Sequence, residues 1–206
     1  MRTALKAGLA GGAALAGAAL WWRKHPSACP YSQRFWIEAP HPLITRERLR
    51  AVLEPRPGER ILEVGPGTGY YSLPVAEWLQ PGGTLELVDI QQEMLDHTMR
   101  RAEQEGLSNL VPTRADALQL PYEDRRFDAA FLVTVLGETP DQDAALRELA
   151  RVLRPGGRLV DGELFGDPHY VSAKSLRRRA EAAGLRYDDR VGPRLGYFAR
   201  FRRAEP

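Results

Sequence analysis

The ten residues from Ile61 to Tyr70, ILEVGPGTGY, constrain what this chain can fold into more than any other stretch. Ile61 to Val64 read as a buried strand, and they run straight into three glycines at alternate positions, Gly65, Gly67 and Gly69. Glu63 stands just ahead of the first of them. A second apolar segment, from Leu85 to Val88, ends in Asp89. A glycine-rich turn after one strand and an acid after the next is the layout of a nucleoside-binding βαβ unit. Glycine is required because the turn takes backbone angles that a Cβ resists, and because a ligand must come close to the main chain. Asp89 is placed to accept hydrogen bonds from two ribose hydroxyls.

The spacing narrows the nucleoside. A dinucleotide fingerprint is G-x-G-x-x-G, with a helix N-terminus aimed at a pyrophosphate. Here the third glycine comes one residue early and Tyr70 follows it. Glu63 would repel a pyrophosphate but suits a cation. The segment EVGPGTG, residues 63–69, resembles the first motif of the class I S-adenosylmethionine-dependent methyltransferases. Their cofactor, S-adenosylmethionine, carries an ammonium and a sulfonium, so acids beside the loop make electrostatic sense. The resemblance implies that Glu63, Gly65, Pro66, Gly67 and Gly69 form the cofactor loop and that Asp89 holds the ribose. Ile90 and Met94 would flank the purine, Val133 would line the site at the end of the fourth strand, and Asp116 with Ala117 would meet the adenine edge. Asp116 also reads as a cap of the turn that follows it. The segments LPYE at 120–123, FDAAF at 127–131 and RVLRPGG at 151–157 follow the family wording too. The resemblance spans roughly residues 45–204.

Apolar periodicity gives the architecture. Strands are predicted near 60–64, 84–88, 110–114, 128–134 and 157–164, with helices near 72–79, 91–105 and 141–153 between them. Such alternation predicts a parallel sheet covered on both faces. A short helix is expected from about Thr45 to Leu53, and Pro-Gly-Gly at 81–83 and 155–157 marks two helix-to-strand turns. At the end of the chain, a helix over 173–183 precedes strands at 185–191 and 197–202, joined by the turn-rich Gly192–Gly196. With the resemblance, the expected fold class is α/β: a doubly wound, mostly parallel seven-stranded sheet with a terminal antiparallel hairpin.

The chain has 206 residues and a formal net charge of +2, enough for one domain with an extension and too little charge to argue for nucleic acid. The single cysteine, Cys29, excludes a disulfide framework. Three parts are expected: a hydrophobic segment at 1–24, a linker or lid at 25–44, and a methyltransferase domain at 45–206. Residues 7–22 carry no charge, with Trp21 and Trp22 followed by Arg23 and Lys24. Three readings stand: a membrane anchor through residues 4–22, a secretory signal, or a soluble arm. The anchor, with more positive charge behind it than ahead, would put the domain on the cytoplasmic face. Gly8-x-x-x-Gly12 has the spacing that lets two helices pack into a homodimer, although in so glycine-rich a segment it distinguishes little. The proline-rich 25–42 reads as a wrap without helix, carrying Tyr31 and His41 over the acceptor side.

Methyl transfer from a sulfonium is an in-line displacement, so positioning supplies much of the catalysis and a base helps only if the acceptor loses a proton. His169, in the loop after the fifth strand, is the candidate base. The residues after the fourth strand lack the Asn/Asp-Pro-Pro-Tyr/Phe sequence of many nucleic-acid amino methylases, which points away from a nucleic-acid partner. No metal-ligand spacing is visible. Asp161 in a strand expected to be buried marks either a local irregularity at Gly162 or a part of the site. Arg177 to Arg179 with Arg200, Arg202 and Arg203 read either as a basic face toward anionic lipid or as a solvated surface. The expected activity is methyl transfer to a small or lipophilic acceptor, such as a quinone precursor or a phospholipid head group. A soluble methyltransferase of a specialised metabolite and a non-catalytic S-adenosylmethionine-binding protein are the alternatives.

Overall fold

The computed structural model describes residues 26–38 and 41–205. Seven strands form one sheet in the order β3-β2-β1-β4-β5-β7-β6. The strands are β1 (Arg60–Val64), β2 (Thr84–Asp89), β3 (Leu110–Arg114), β4 (Phe127–Val133), β5 (Leu153–Leu164), β6 (Leu185–Val191) and β7 (Gly196–Arg203). β1 to β5 pair in parallel, while β7 runs antiparallel between β5 and β6. Helices α1 (Arg46–Leu53), α2 (Ser72–Trp78), α3 (Gln92–Gln104), α4 (Gln142–Val152) and α5 (Ala173–Ala182) cover the two faces.

Alternation along the strands divides the core. Ile61, Leu85, Leu87, Phe131 and Phe198 pack with Leu49 and Val52 of α1, Leu73 of α2 and Leu95 of α3. Leu62, Leu132, Leu159, Tyr197 and Phe201 face Leu146 and Leu149 of α4 and Leu176 of α5. Three helices start where a side chain accepts from the first turn: Thr45 from Arg48 N–H at 3.3 Å, Asp141 from Ala144 N–H at 2.9 Å, and Ser172 from Ser175 N–H at 3.3 Å. The strand order reverses between β1 and β4, and in open α/β sheets that reversal opens a crevice at the carboxyl ends of the strands.

Two elements differ from the sequence reading. β5 begins at Leu153 rather than near 157, with the pairing jumping from Phe127↔Leu153 to Ala129↔Arg158. Pro155, Gly156 and Gly157 therefore sit in a bulge of the strand, with Gly156 at a φ of 72°, instead of forming a turn between helix and strand. The wrap is not free of helix either, since it contains a 3₁₀ turn at Tyr31–Gln33 and one helical turn at Phe35–Glu38.

Most of the arginines expected on a basic face have acidic or carbonyl partners. Arg177 pairs with Glu181 at 2.8 Å, and Arg179 with Asp143 at 2.6 Å. Arg200 and Arg202 share Asp188, and Arg203 donates to the carbonyls of Arg151 and Leu153. Among the described residues no helix is long and apolar enough to cross a membrane, and the anchor and Gly8-x-x-x-Gly12 readings fall on residues outside that set.

Candidate functional site

The glycine loop after β1 is set by its backbone. Gly65, Gly67 and Gly69 have φ values of 71°, 55° and 82°, a region that side chains disfavour. Gly65 donates its N–H to the Val88 carbonyl at 2.8 Å, and a Cβ on it would strike the Val135 side chain. From α3, Thr98 Oγ1 donates to the Gly67 carbonyl at 3.1 Å and Arg101 Nη1 to the Thr68 carbonyl at 2.7 Å. The loop is thus clamped from behind by the helix that follows β2.

In front of it lies a cavity of about 880 Å³ at the carboxyl ends of β1, β2, β4 and β5. Of the sequence-predicted residues, Gly65, Pro66, Gly67, Asp89, Ile90, Met94, Asp116, Ala117, Val133 and His169 lie on its wall. Gly69 does not. A Cβ there would lie 3.0 Å from the Thr98 Cγ2, so this glycine lets the loop pack on α3. Glu63 is not on the wall either: it lies buried in β1, 2% exposed, and its Oε2 has no hydrogen-bond partner. Burial pushes its carboxyl up to about 8, with Ser72 opposing and the Asp89 charge adding.

Asp89 is 9% exposed at the end of β2 and accepts from Gln91 N–H at 2.8 Å. Burial raises it to about 6 against the lowering effect of the Gln91 and Ile90 amides. Asp116 stands on the wall, and its Oδ1 accepts from Leu118 N–H at 2.9 Å as a cap of the turn. His41 is also on the wall, edge-on to Tyr70, and burial lowers its pKa. Tyr31 is not. Its hydroxyl lies 3.2 Å from His97 Nδ1 and its N–H donates to Gln91 Oε1 at 3.2 Å.

The residues from Pro26 to Pro30 and Gln33 form the other side of the cavity. They bridge it: the Cys29 carbonyl accepts from Gln91 Nε2 at 2.9 Å beside β2, and the Cys29 N–H donates to Glu138 Oε2 at 3.3 Å beside β4. Glu138, in a 3₁₀ turn at Leu136–Glu138, and Asp167, in the loop after β5, add two carboxylates that the sequence reading did not assign to the site. Glu138 is pushed up to about 8 by burial and by Asp167, with the Cys29 amide opposing. Asp167 is raised by burial, and its Oδ1 accepts from the His169 N–H at 2.7 Å. Gly137 permits this closure, because a Cβ there would collide with the His169 carbonyl. The signal available in the sequence was an acid in the loop after each of two parallel strands.

Behind them, Glu163 is 1% exposed. Its Oε2 accepts from Val171 N–H at 2.8 Å and its Oε1 has no hydrogen-bond partner. Asp161 stands in regular register with Leu132 and Ala199, so Gly162 marks no irregularity. It is a buried acid pushed up to about 8 by burial, and it does not line the cavity. Among the described residues no group of three His, Cys, Asp or Glu side chains has metal-binding geometry.

Residues 61–157 match the family model described as a methyltransferase domain. Over 121 residues the chain is 36% identical to methyltransferase GfsG of Streptomyces halstedii, covering 57% of this chain and 42% of that one. It is 37% identical over 115 residues to the ubiquinone/menaquinone biosynthesis C-methyltransferase UbiE of Cellvibrio japonicus, covering 55% and 46%. The chain thus spans less than half the length of these two relatives. A SAM-dependent methyltransferase from Aquifex aeolicus superposes with a TM-score of 0.78 at 20% identity, covering 86% of this chain and all of that one. The mostly parallel sheet with its antiparallel hairpin is the fold of that structure.

Proposed function

We propose that this chain, whose residues 61–157 belong to the methyltransferase-domain family, transfers a methyl group from S-adenosylmethionine to a small-molecule acceptor. The observation that carries this reading is the meeting of the Gly65–Gly69 loop, Asp89 and the 880 Å³ cavity at the reversal of strand order.

The residues present suit the cofactor. Glu63, buried beneath the loop, has an orphaned carboxylate oxygen and, among the described residues, no cationic side chain offsetting its burial, which is the complement of an ammonium or sulfonium. Asp89 has one oxygen held by the Gln91 amide and is fixed to receive ribose hydroxyls. Ile90 and the buried Met94 supply apolar surface for a purine, and Asp116 with Ala117 stands on the same wall. When bound, S-adenosylmethionine supplies an electrophilic methyl on a positively charged sulfur. The chain contributes position, through a loop pinned by Thr98 and Arg101, and exclusion of water, through the bridge at Cys29. His169 on the wall and Glu138 opposite Cys29 are the groups available to take a proton from an acceptor.

Titration calorimetry with S-adenosylhomocysteine and NAD tests the cofactor assignment. Saturable binding of the first and none of the second is expected. Binding of NAD alone would overturn it.

A further inference from the structure

The cavity holds more negative charge than the cofactor reading uses. Among the described residues its wall carries four carboxylates, Asp89, Asp116, Glu138 and Asp167, and no lysine or arginine. Asp89 and Asp116 lie at the ends of β2 and β3 and are accounted for by ribose and adenine. Glu138 and Asp167 follow β4 and β5 and have no such use. Their hydrogen bonds come from main-chain amides, Cys29 N–H on Glu138 and His169 N–H on Asp167; the His169 imidazole also acts on Asp167, while the charges felt by Glu138 are those of other acids. Glu163, almost fully buried behind them, acts electrostatically on the same group and has one oxygen without a partner. Desolvated like charges of this kind are costly, so Glu138 holds a proton in the ligand-free protein and a bound cation restores the ionised pair.

We propose that the acceptor is an amine, received as its ammonium between Glu138 and Asp167 beneath the Cys29 bridge. The inference rests on the methyltransferase reading and names the acceptor class for that site. An ammonium there satisfies both carboxylates, whereas an acceptor carrying a carboxylate or phosphate would be repelled by all four. The ammonium has no lone pair to offer a methyl group. One N–H proton therefore passes to a Glu138 oxygen, leaving a neutral amine with its lone pair free and Glu138 as the neutral acid. Atoms and charge balance: R–NH₃⁺ and carboxylate become R–NH₂ and carboxylic acid. Asp167 remains the counter-charge for the cationic product. The raised affinity of Glu138 for a proton, set by burial and by Asp167, favours this transfer at neutral pH.

The test is a titration of the full chain with benzylamine, benzyl alcohol and benzoate, in the presence and in the absence of saturating S-adenosylhomocysteine. Benzylamine is expected to bind most tightly and benzoate most weakly. Glu138→Gln should weaken benzylamine by about tenfold or more, the scale of a charged hydrogen bond, and leave benzyl alcohol unchanged. S-adenosylhomocysteine binding by the variant reports that it is folded. Equal affinities for amine and alcohol, absence of amine binding, or an unaffected Glu138→Gln variant would overturn the amine assignment. Failure of S-adenosylhomocysteine to bind the wild-type chain would instead overturn the methyltransferase reading, and the titration without it still reports the amine preference.

Discussion

Asp89 and Gly67 show how far a single residue can be read from its neighbours. Asp89 projects from the last position of β2 with one oxygen already held by the Gln91 amide. Asp89→Ala is expected to weaken S-adenosylmethionine binding more than tenfold, from the loss of charged hydrogen bonds of about 1.5–3 kcal/mol each, as measured by calorimetry. Gly67 has a φ of 55° and its carbonyl is held by Thr98, so Gly67→Val adds bulk to the wall and strains the turn. Its cofactor binding should be lost while circular dichroism shows the fold retained. These residues were legible because the constraint on them is local: a tight turn after a strand demands glycine, and an acid at a strand end is read from its position in sequence. Glu138 and Asp167 were not legible as a pair, because two loops far apart in sequence meet only once β4 and β5 lie side by side. Gly69, the last glycine of the motif, lies off the cavity wall, and its want of a Cβ lets the loop pack against Thr98.

At the scale of elements, periodicity located the seven described strands and helices α1 to α5, since alternation and helical spacing are set by burial on the two faces of the sheet. The start of β5 escaped it because Pro155-Gly-Gly has the composition of a turn, and only pairing with β4 turns it into a bulge. The helical turns at 31–33 and 35–38 escaped because prolines on either side mask so short a pattern. α1 is joined to the sheet by a contact that no periodicity announces. Arg158 of β5 donates to Glu59 Oε2 at 2.6 Å and to the Leu53 carbonyl at 2.9 Å, with both charged side chains under a tenth exposed. Removing one partner leaves the other charge buried and unpaired. Glu59→Gln should therefore destabilise the protein by about 3–5 kcal/mol in urea denaturation.

For the whole molecule, the buried acids make stability depend on pH in an unusual direction. Glu63, Glu138 and Asp161 are pushed up to about 8 and Asp89 to about 6, whereas these groups ionise near 4 in an unfolded chain. The folded state therefore retains protons that the unfolded state releases, and the stability this gives is complete near pH 4 and is lost as pH rises toward 8. Glu54 and Glu148, held down by hydrogen bonds from Arg200 and Arg151, act only below their ordinary range and do not offset this. The melting temperature of the ligand-free protein should fall between about pH 5 and about pH 8. A cationic ligand favours the ionised acids, so saturating S-adenosylmethionine should raise the melting temperature more at the higher pH. The central claim, that the cavity above β1 holds this cofactor, is tested most directly by a crystal structure of the protein with S-adenosylhomocysteine. The account predicts both ribose hydroxyls within about 2.6–3.2 Å of the Asp89 carboxylate and the sulfur facing Glu138 and His169. Ligand density elsewhere on the chain, with Asp89 untouched, would contradict it.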